Sequence, residues 1–195
     1  MANIIITGEM GTGKDFVLNK IIQHFNVTRS ITDTTRPIRE GEVDGIHYNF
    51  RTLEEFEHDM AIGRYMEVQS YQTAYGTWLY GSRFNRIAND SIIILDAEGA
   101  ETYKQHIPFT IHIHLSVWDE TERFYRSLDR LGDSCNITDV EEVYRRINKD
   151  KSKFKGIEDK TPFVVPQIYN DTTVDLVFSI LDSMCVERRP NIGGM

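Results

Sequence analysis

The stretch that most constrains the fold is a glycine-rich segment that directly follows the apolar run Ile4–Ile6. Its eight residues are Gly8, Glu9, Met10, Gly11, Thr12, Gly13, Lys14 and Asp15. Glycines allow a positive φ and let successive N–H groups converge on an anion, and a helix that begins at the lysine adds its positive end. The pattern therefore predicts a strand, a loop that binds a nucleotide phosphate, and a helix. The alternative is a chance glycine-rich turn, which the helical spacing of apolar residues from Phe16 to Phe25 disfavours.

One position of this loop departs from the usual pattern. A Ser or Thr normally follows the lysine and contacts Mg²⁺ through its hydroxyl, and here the residue is Asp15. A carboxylate is a competent ligand for a hard cation, although it brings negative charge close to the phosphates. We predict that Asp15 is the Mg²⁺ ligand.

Length, charge and cysteine content limit the class of protein. The chain has 195 residues and a formal net charge of −8, which suits one α/β domain and argues against nucleic acid or an anionic membrane as a partner. Cys135 and Cys185 provide no disulfide framework and fit the reducing cytoplasm. The sequence contains no membrane span or signal peptide pattern. We expect a cytoplasmic monomer or homodimer with small-molecule substrates and a frayed tail at 189–195.

Apolar runs alternate with helical patterns, which is typical of a parallel sheet with helices on both faces. Strands are predicted at Ile4–Ile6, Ile92–Leu95, Ile111–Leu115 and Phe163–Tyr169, the last at a sheet edge or bulge because it contains Pro166. Helices are predicted at Lys14–Phe25, Ser82–Asn89, Gly99–His106, Asp119–Leu131, Thr138–Phe154 and Thr173–Met184. Thr138 with Glu141 forms a predicted capping box, and Thr172 a predicted cap.

Residues 31–80 show a different pattern. Short strand-like pieces at Ile46–Phe50 and Tyr65–Ser70 flank a helix that opens with the capping-box pair Thr52 and Glu55. This pattern predicts a small insertion with its own antiparallel sheet. The polar stretch Gly132–Ile137 separates two charged helices and is predicted to be a mobile flap.

The segment that follows the first helix carries a family resemblance. From Thr32 to Phe50 it reads TDTTRPIREGEVDGIHYNF, which resembles the signature of the guanylate kinase family: TTR, a second arginine, GE, DG and YxF. The further matches come in family order and span most of the chain: Tyr65–Glu67, Tyr75–Thr77, Leu95–Gly99, Arg126 and Arg130 on one helix, Arg146–Ile147, and Asn170–Asp171.

The resemblance implies a P-loop NTPase-type α/β fold in three parts and a phosphoryl transfer. The parts are a core (1–30, 81–120 and 156–188), a GMP-binding α+β insertion (31–80) and a helical lid (121–155). The implied reaction moves the γ-phosphoryl group of ATP to GMP or dGMP with Mg²⁺ and gives GDP and ADP. ATP would lie on Gly8 to Asp15.

The resemblance also assigns single residues. The GMP phosphate would be held by Arg36, Arg39, Tyr48 and Tyr75, and the guanine by Thr32, Glu67, Thr77 and Asp96. The residues that neutralise charge on the transferring group would be Lys14, Arg36, Arg126, Arg130 and Arg146, with Arg145 as a further candidate.

The chemistry of these residue types agrees with the assignment. Two planar guanidinium forks suit a phosphate dianion, and carboxylates accept hydrogen bonds from the N1–H and N2–H₂ donors of guanine. Each group also has an ordinary explanation. The arginines of the charged helices can form salt bridges with Glu122, Glu141 or Glu142. Tyr48 and Tyr75 can pack in the core, and Glu67 can be surface charge.

Two other functions stay open from the sequence. One is a kinase for another nucleoside monophosphate or a phosphorylated sugar, which the pair Glu67 and Asp96 disfavours. The other is a non-catalytic guanylate-kinase-like module that binds phosphopeptides, which the intact loop around Lys14 disfavours. His112 and His114 alternate on one strand and are expected to share a face, where a structural role is favoured over a metal site.

Overall fold

A computed structural model describes residues 2–84, 90–117, 119–132, 135–166 and 171–190. The strands in this part of the chain are β1 Asn3–Gly8, β2 Thr28–Arg29, β3 Asp33–Thr34, β4 Asn49–Phe50, β5 Tyr65–Thr73, β6 Gly76–Arg83, β7 Ser91–Ile94, β8 Thr110–Ser116 and β9 Phe163–Pro166. The helices are α1 Lys14–His24, α2 Leu53–Ala61, α3 Ala97–His106, α4 Glu120–Asp129, α5 Ile137–Lys153 and α6 Asp171–Ser183, with a short 3₁₀ helix at Ile157–Asp159.

The larger sheet is parallel and carries the core. Its strand order is β2-β7-β1-β8-β9, and each neighbouring pair runs parallel. Central strand β1 buries Ile4, Ile5 and Ile6 completely, because helices cover both faces of a parallel sheet. Ile4 and Ile6 pack in the cluster that includes residues of α1 and α6, and Ile5 packs in the cluster with Tyr103 of α3. The predicted α/β fold class is confirmed.

The smaller sheet has the order β4-β3-β6-β5 and packs with α2. The predicted capping box of α2 is confirmed, since Thr52 and Glu55 cap each other's backbone N–H. The antiparallel prediction holds for β3–β6 and β5–β6, whereas β3 and β4 run parallel. The predicted strand at Ile46–Phe50 is reduced to β4.

The long β5–β6 hairpin explains one wrong helix. Ser82 pairs with Glu67 across the hairpin, and β6 continues to Arg83. The helix predicted at Ser82–Asn89 is therefore wrong at its start, because cross-strand pairing with β5 overrides the local pattern. Its remainder, 85–89, lies outside the described residues.

A buried ionic network joins the strands of the smaller sheet. Asp33 is fully buried and accepts hydrogen bonds from Arg83 Nε at 2.6 Å, Tyr65 Oη at 2.9 Å and Asn49 Nδ2 at 2.9 Å. Arg83 also pairs with Asp59 of α2. These contacts lock β3, β4, β5, β6 and α2 to one another, and the sequence patterns did not predict them.

Several element ends differ from the predictions. Helix α5 begins at Ile137, because Asn136 and Asp139 form its capping box in place of Thr138 and Glu141. Ile137 is thus helical, and the centre of the predicted flap, residues 133–134, lies outside the described residues.

The C-terminal elements α6 and β9 also differ in part from the predictions. Helix α6 begins at Asp171, so Thr172 lies within its first turn. Strand β9 lies at the edge of the larger sheet, as predicted, and its described part is Phe163–Pro166. Residues 167–170 and 191–195 lie outside the described residues. The end of the predicted last strand, the Asn170 match and most of the predicted tail fall on them. No described helix is both long and apolar enough to cross a bilayer.

Candidate active site

The glycine-rich loop connects β1 to α1 as predicted. Gly11 and Gly13 have φ values of 83° and 77°, which glycine adopts without strain. A Cβ at Gly11 would lie only 2.7 Å from the carbonyl oxygen of Arg123, so the close approach of α4 also requires glycine. Gly13 precedes α1 without capping it through a side chain, which leaves the first N–H groups of the helix available to an anion.

Lys14 is the first residue of α1, and its side chain binds the backbone of this loop. Its Nζ donates to the carbonyl oxygens of Gly8 at 2.8 Å and Glu9 at 2.9 Å. Desolvation lowers the pKa of Lys14 to about 8, against the opposing effect of the nearby carboxylates of Asp150 and Asp15. The ammonium is therefore still mostly protonated at neutral pH, at the place where the phosphates of ATP are expected.

A carboxylate of α5 already contacts the loop. Asp150 Oδ2 accepts the backbone N–H of Met10 at 2.6 Å. This N–H group is one of those predicted to hold a phosphate, so an incoming phosphate has to displace Asp150. No sequence pattern indicates this contact, because Met10 and Asp150 are 140 residues apart.

Asp15 lies at the start of α1, on the side that faces the insertion. Its side chain is 57% exposed, and Oδ1 lies 3.2 Å from Nη2 of Arg29. The charge of Asp15 acts on the pKa of both Lys14 and Tyr48, which places it between the loop and the insertion. An exposed carboxylate at this place suits a hydrated Mg²⁺, with Arg29 as a competitor. No group of three or more metal-ligating side chains exists among the described residues.

The predicted phosphate-binding arginines of the insertion lie together. Arg36 is held by a two-pronged ion pair with Glu42, at 2.9 and 2.7 Å, and its guanidinium lies 5.3 Å from the ring centre of Tyr48. Burial lowers the pKa of Arg39, and the positive charges of Arg36 and Arg146 add to this effect. The Arg39 guanidinium makes no hydrogen bond to a described residue. A cation crowded by other cations is a ready partner for a phosphate dianion.

Tyr80 lies in the cluster that Arg36, Arg39 and Tyr48 form, whereas Tyr75 lies outside it. The rings of Tyr48 and Tyr80 are 5.8 Å apart, and Tyr80 acts on the pKa of both Arg36 and Arg39. Burial raises the pKa of Tyr48 to about 12, so its phenol is a donor at neutral pH. Tyr75 is 55% exposed at the hairpin turn, where its hydroxyl donates to Asp139 Oδ1 at 2.6 Å.

The predicted guanine-binding carboxylates converge at the start of α3. A Cβ at Gly99 would lie 3.2 Å from Asp96 Oδ1 and 3.3 Å from Glu67 Oε2, so a larger residue would crowd both carboxylates. Glu67 Oε1 accepts from Ser82 Oγ at 2.6 Å, and Oε2 is buried with no hydrogen-bond partner among the described residues. Burial, with a contribution from Asp96, raises the pKa of Glu67 to about 7.

Thr77 lies far from these carboxylates. It pairs with Gln72 near the hairpin turn, five residues along β6 from Ser82, which is roughly 16 Å. A repeat of the motif explains the difference: Tyr75-Gly76-Thr77 is followed by Tyr80-Gly81-Ser82. The second copy lies at the cluster, and the hairpin register is the signal that identifies it.

Thr32 precedes β3, and its carbonyl oxygen accepts from the backbone N–H of Asn49 at 3.0 Å. This contact holds the segment before the arginines against β4. The structure describes no contact of its hydroxyl with the carboxylates.

The lid arginines occupy different places. Arg126 donates to Glu122 at 2.8 Å and lies 3.5 Å from the Gly11 carbonyl oxygen, at the loop. The charge of Arg146 acts on the pKa of both Lys14 and Arg39, so Arg146 lies near both side chains. Arg145 instead binds Glu142 and the Gln72 carbonyl oxygen, at 2.8 and 2.6 Å. Arg130 is exposed at the end of α4.

Buried polar side chains of β1, β8 and α4 lie next to the loop. His112 Nε2 and His114 Nδ1 both contact Thr7 Oγ1, at 2.9 and 3.0 Å, so the prediction that they share a face is confirmed. Burial lowers the pKa of each imidazole to about 4, which keeps both neutral. Arg123, which the sequence analysis missed, is buried and lies 3.3 Å from Glu9 Oε1.

Comparisons with known proteins show what this chain is similar to. The sequence model of the guanylate kinase family matches residues 1–162. The guanylate kinase of Lactobacillus delbrueckii subsp. bulgaricus is 32% identical over 179 residues, which cover 89% of this chain and 83% of that protein. The guanylate kinase of Enterococcus faecalis is 30% identical, with coverage of 85% and 84%. The match to that of Chlorobium luteolum is 34% identical and spans 54% of this chain and 55% of that protein.

A solved structure shares the fold. The crystal structure of guanylate kinase from Anaplasma phagocytophilum superposes with a TM-score of 0.70 at 18% identity, covering 94% of this chain and 85% of that chain.

Proposed function

Because the chain belongs to the guanylate kinase family, we propose that it transfers the γ-phosphoryl group of ATP to GMP and releases GDP and ADP. The chain is a nucleoside monophosphate kinase. The observation that carries the choice of GMP is the buried, unpartnered Oε2 of Glu67 beside Asp96, an acceptor for the donor edge of guanine. Formation of ADP with GMP, compared with other monophosphates, tests the proposal.

The reaction needs positioning and charge neutralisation more than covalent chemistry. A phosphate oxygen of GMP, already ionised, attacks the γ-phosphorus while the bond to the β–γ bridging oxygen breaks. Lys14 and the loop N–H groups hold the ATP phosphates, and Arg36 and Arg39 hold the GMP phosphate. Arg146, whose charge reaches both Lys14 and Arg39, stabilises the group in transit.

Some assignments from the resemblance change in this proposal. Tyr80 takes the phosphate-binding place given to Tyr75, because it is Tyr80 that lies with Tyr48 and the arginines. Ser82 takes the place of Thr77 beside Glu67. Arg126 serves the phosphate loop, while Arg130 keeps the lid role only as a prediction.

Mg²⁺ fits the proposed reaction. It would neutralise charge on the ATP phosphates, and Asp15 would hold it, directly or through its waters, once its pairing with Arg29 is released. We propose the cytoplasm as the compartment, because ATP is available there and Cys135 and Cys185 are free thiols. We propose that the protein is a monomer or a homodimer.

Replacing Arg39 by alanine should weaken GMP binding by about 1.5–3 kcal/mol, the usual scale for one charge-assisted hydrogen bond. Its guanidinium has no hydrogen-bonded partner among the described residues, so the substitution leaves no group unpaired. The stability of the fold should therefore stay unchanged. Guanosine, which lacks the phosphate, should bind the variant and the wild type alike. Titration calorimetry with both ligands measures this. Equal losses for the nucleoside and the nucleotide would remove Arg39 from the phosphate site.

The raised pKa of Glu67 predicts a pH dependence of guanosine binding. Only the ionised carboxylate leaves Oε2 free of a proton to accept from the base, and with a pKa of about 7 the ionised fraction rises from about a tenth at pH 6 to about nine tenths at pH 8. Guanosine affinity should therefore rise about tenfold over this range. Guanosine is the right probe, because it has no phosphate to titrate. The Glu67→Gln variant should bind weakly with a flat profile; the same slope in both proteins would exclude Glu67 as its source.

A further inference from the structure

A lysine that the resemblance does not assign lies in the base pocket. Lys153 ends α5, and its side chain is only 18% exposed. Its ammonium pairs with Asp96 Oδ2, lies 3.0 Å from the hydroxyl of Tyr71, and stands 4.3 Å from the centre of the Tyr71 ring. Both partners belong to the pocket, since Tyr71 also donates to Asp96.

These contacts leave Lys153 with a free proton. An ammonium has three N–H donors, and its two polar partners in the described part of the chain, the ion-paired Asp96 and the hydrogen-bonded Tyr71, engage two of them. Its charge also lowers the pKa of Glu67, so the ammonium is close to the carboxylate with the unpartnered Oε2. The pocket therefore offers one free acceptor and one free donor near each other.

The same contacts change the role of Asp96. Its Oδ1 accepts the backbone N–H of Gly99 at 2.8 Å, and its Oδ2 is shared by Tyr71 and Lys153. With both oxygens engaged, Asp96 acts mainly by holding the ammonium in place. Glu67 is then the carboxylate that reads the base directly.

We propose that Lys153 is a specificity-determining residue that selects 6-oxopurines. This inference rests on the proposed function and deepens it. Guanine carries an acceptor, O6, next to the N1–H donor, so one edge meets both Lys153 and Glu67. A 6-aminopurine such as adenine brings a donor against the ammonium and leaves it unpaired, which disfavours binding. Because Lys153 lies on α5, base selection requires this helix to stay over the pocket.

The test compares Lys153→Met with the control Lys151→Met by calorimetric titration of GMP, IMP and AMP. Lys151 is on the same helix but pairs at 2.9 Å with Glu120, outside the pocket. In the Lys153 variant, affinity for GMP and IMP, which share the 6-oxo group, should fall by a similar factor of about ten or more, the loss of one charge-assisted bond. AMP should bind no more weakly than to the wild type, and the control should change none of the three.

Each other outcome has a definite meaning. Unchanged GMP affinity in Lys153→Met, or equal losses for GMP and AMP, would overturn the role of Lys153, the second because it indicates a general loss of the pocket. Wild type that binds GMP more tightly than AMP but produces no ADP would refute the proposed kinase activity and leave the role of Lys153 standing. Wild type that binds none of the three would refute both.

Discussion

Replacing Lys14 by alanine should lower the turnover number with ATP and GMP at least about a hundredfold, the scale for loss of one preorganised charged donor. Lys14 is the first residue of α1 and binds the carbonyl oxygen of Gly8, and the insertion that is proposed to hold GMP is built from other residues. The GMP dissociation constant should therefore stay within about twofold. Steady-state kinetics and calorimetry with GMP alone separate the two effects.

The control for this variant is Lys20→Ala on the same helix. Lys20 lies over the ring of Phe16, at 5.6 Å from its centre, and has no part in the loop. It should keep wild-type turnover. If Lys14→Ala also kept wild-type turnover, the glycine-rich segment would not be the ATP site. A large loss of GMP affinity would instead show that the two sites are not separate.

Replacing Arg83 by methionine should destabilise the fold by about 3 kcal/mol, because it removes the most buried cation of two buried carboxylates, which keep only more exposed arginines. Asp33 is fully buried, and Arg83 is 6% exposed between it and Asp59. Urea unfolding measures the change. Mutations on the loop, such as Lys14→Ala, should have a much smaller effect on the same free energy.

Arg64→Met is the matched control for the network. Arg64 also pairs with Asp59, at 2.6 Å, but its side chain is 52% exposed, so its loss should cost less than about 1 kcal/mol. Equal effects of the two substitutions would show that burial does not set the strength of the network. A loss below about 1 kcal/mol for Arg83→Met would show that it contributes little to stability.

Sequence patterns predicted those parts of the fold that depend on interactions between residues close together in the sequence. The run Ile4–Ile6, the glycines of the loop and the Thr52–Glu55 capping box each act within a few residues, and the structure has them as expected. The prediction of a helix from Ser82 is wrong because this segment pairs with β5 and forms the end of β6 instead. The start of α5 fails because two capping boxes overlap, and Asn136 with Asp139 is the one that forms.

In the candidate site too, residues within motifs could be predicted, and residues brought in by packing could not. Glu67 and Asp96 could be named from their motifs, and the fold brings them together at Gly99. The choice between Tyr75 and Tyr80 depends on where the hairpin turns, which a repeated Tyr-Gly motif leaves ambiguous. Asp150 and Lys153 reach the site only through the packing of α5, so no sequence pattern identifies them.

The most direct test of the account is the rate of ADP formation with ATP, Mg²⁺ and each of GMP, dGMP, IMP, AMP, CMP and UMP. We predict rapid, Mg²⁺-dependent turnover with GMP or dGMP, slower turnover with IMP, which lacks the 2-amino group, and little with the remaining three. Turnover of AMP or UMP as fast as that of GMP would contradict base reading by Glu67. An undetectable rate with every monophosphate would contradict the proposed reaction itself.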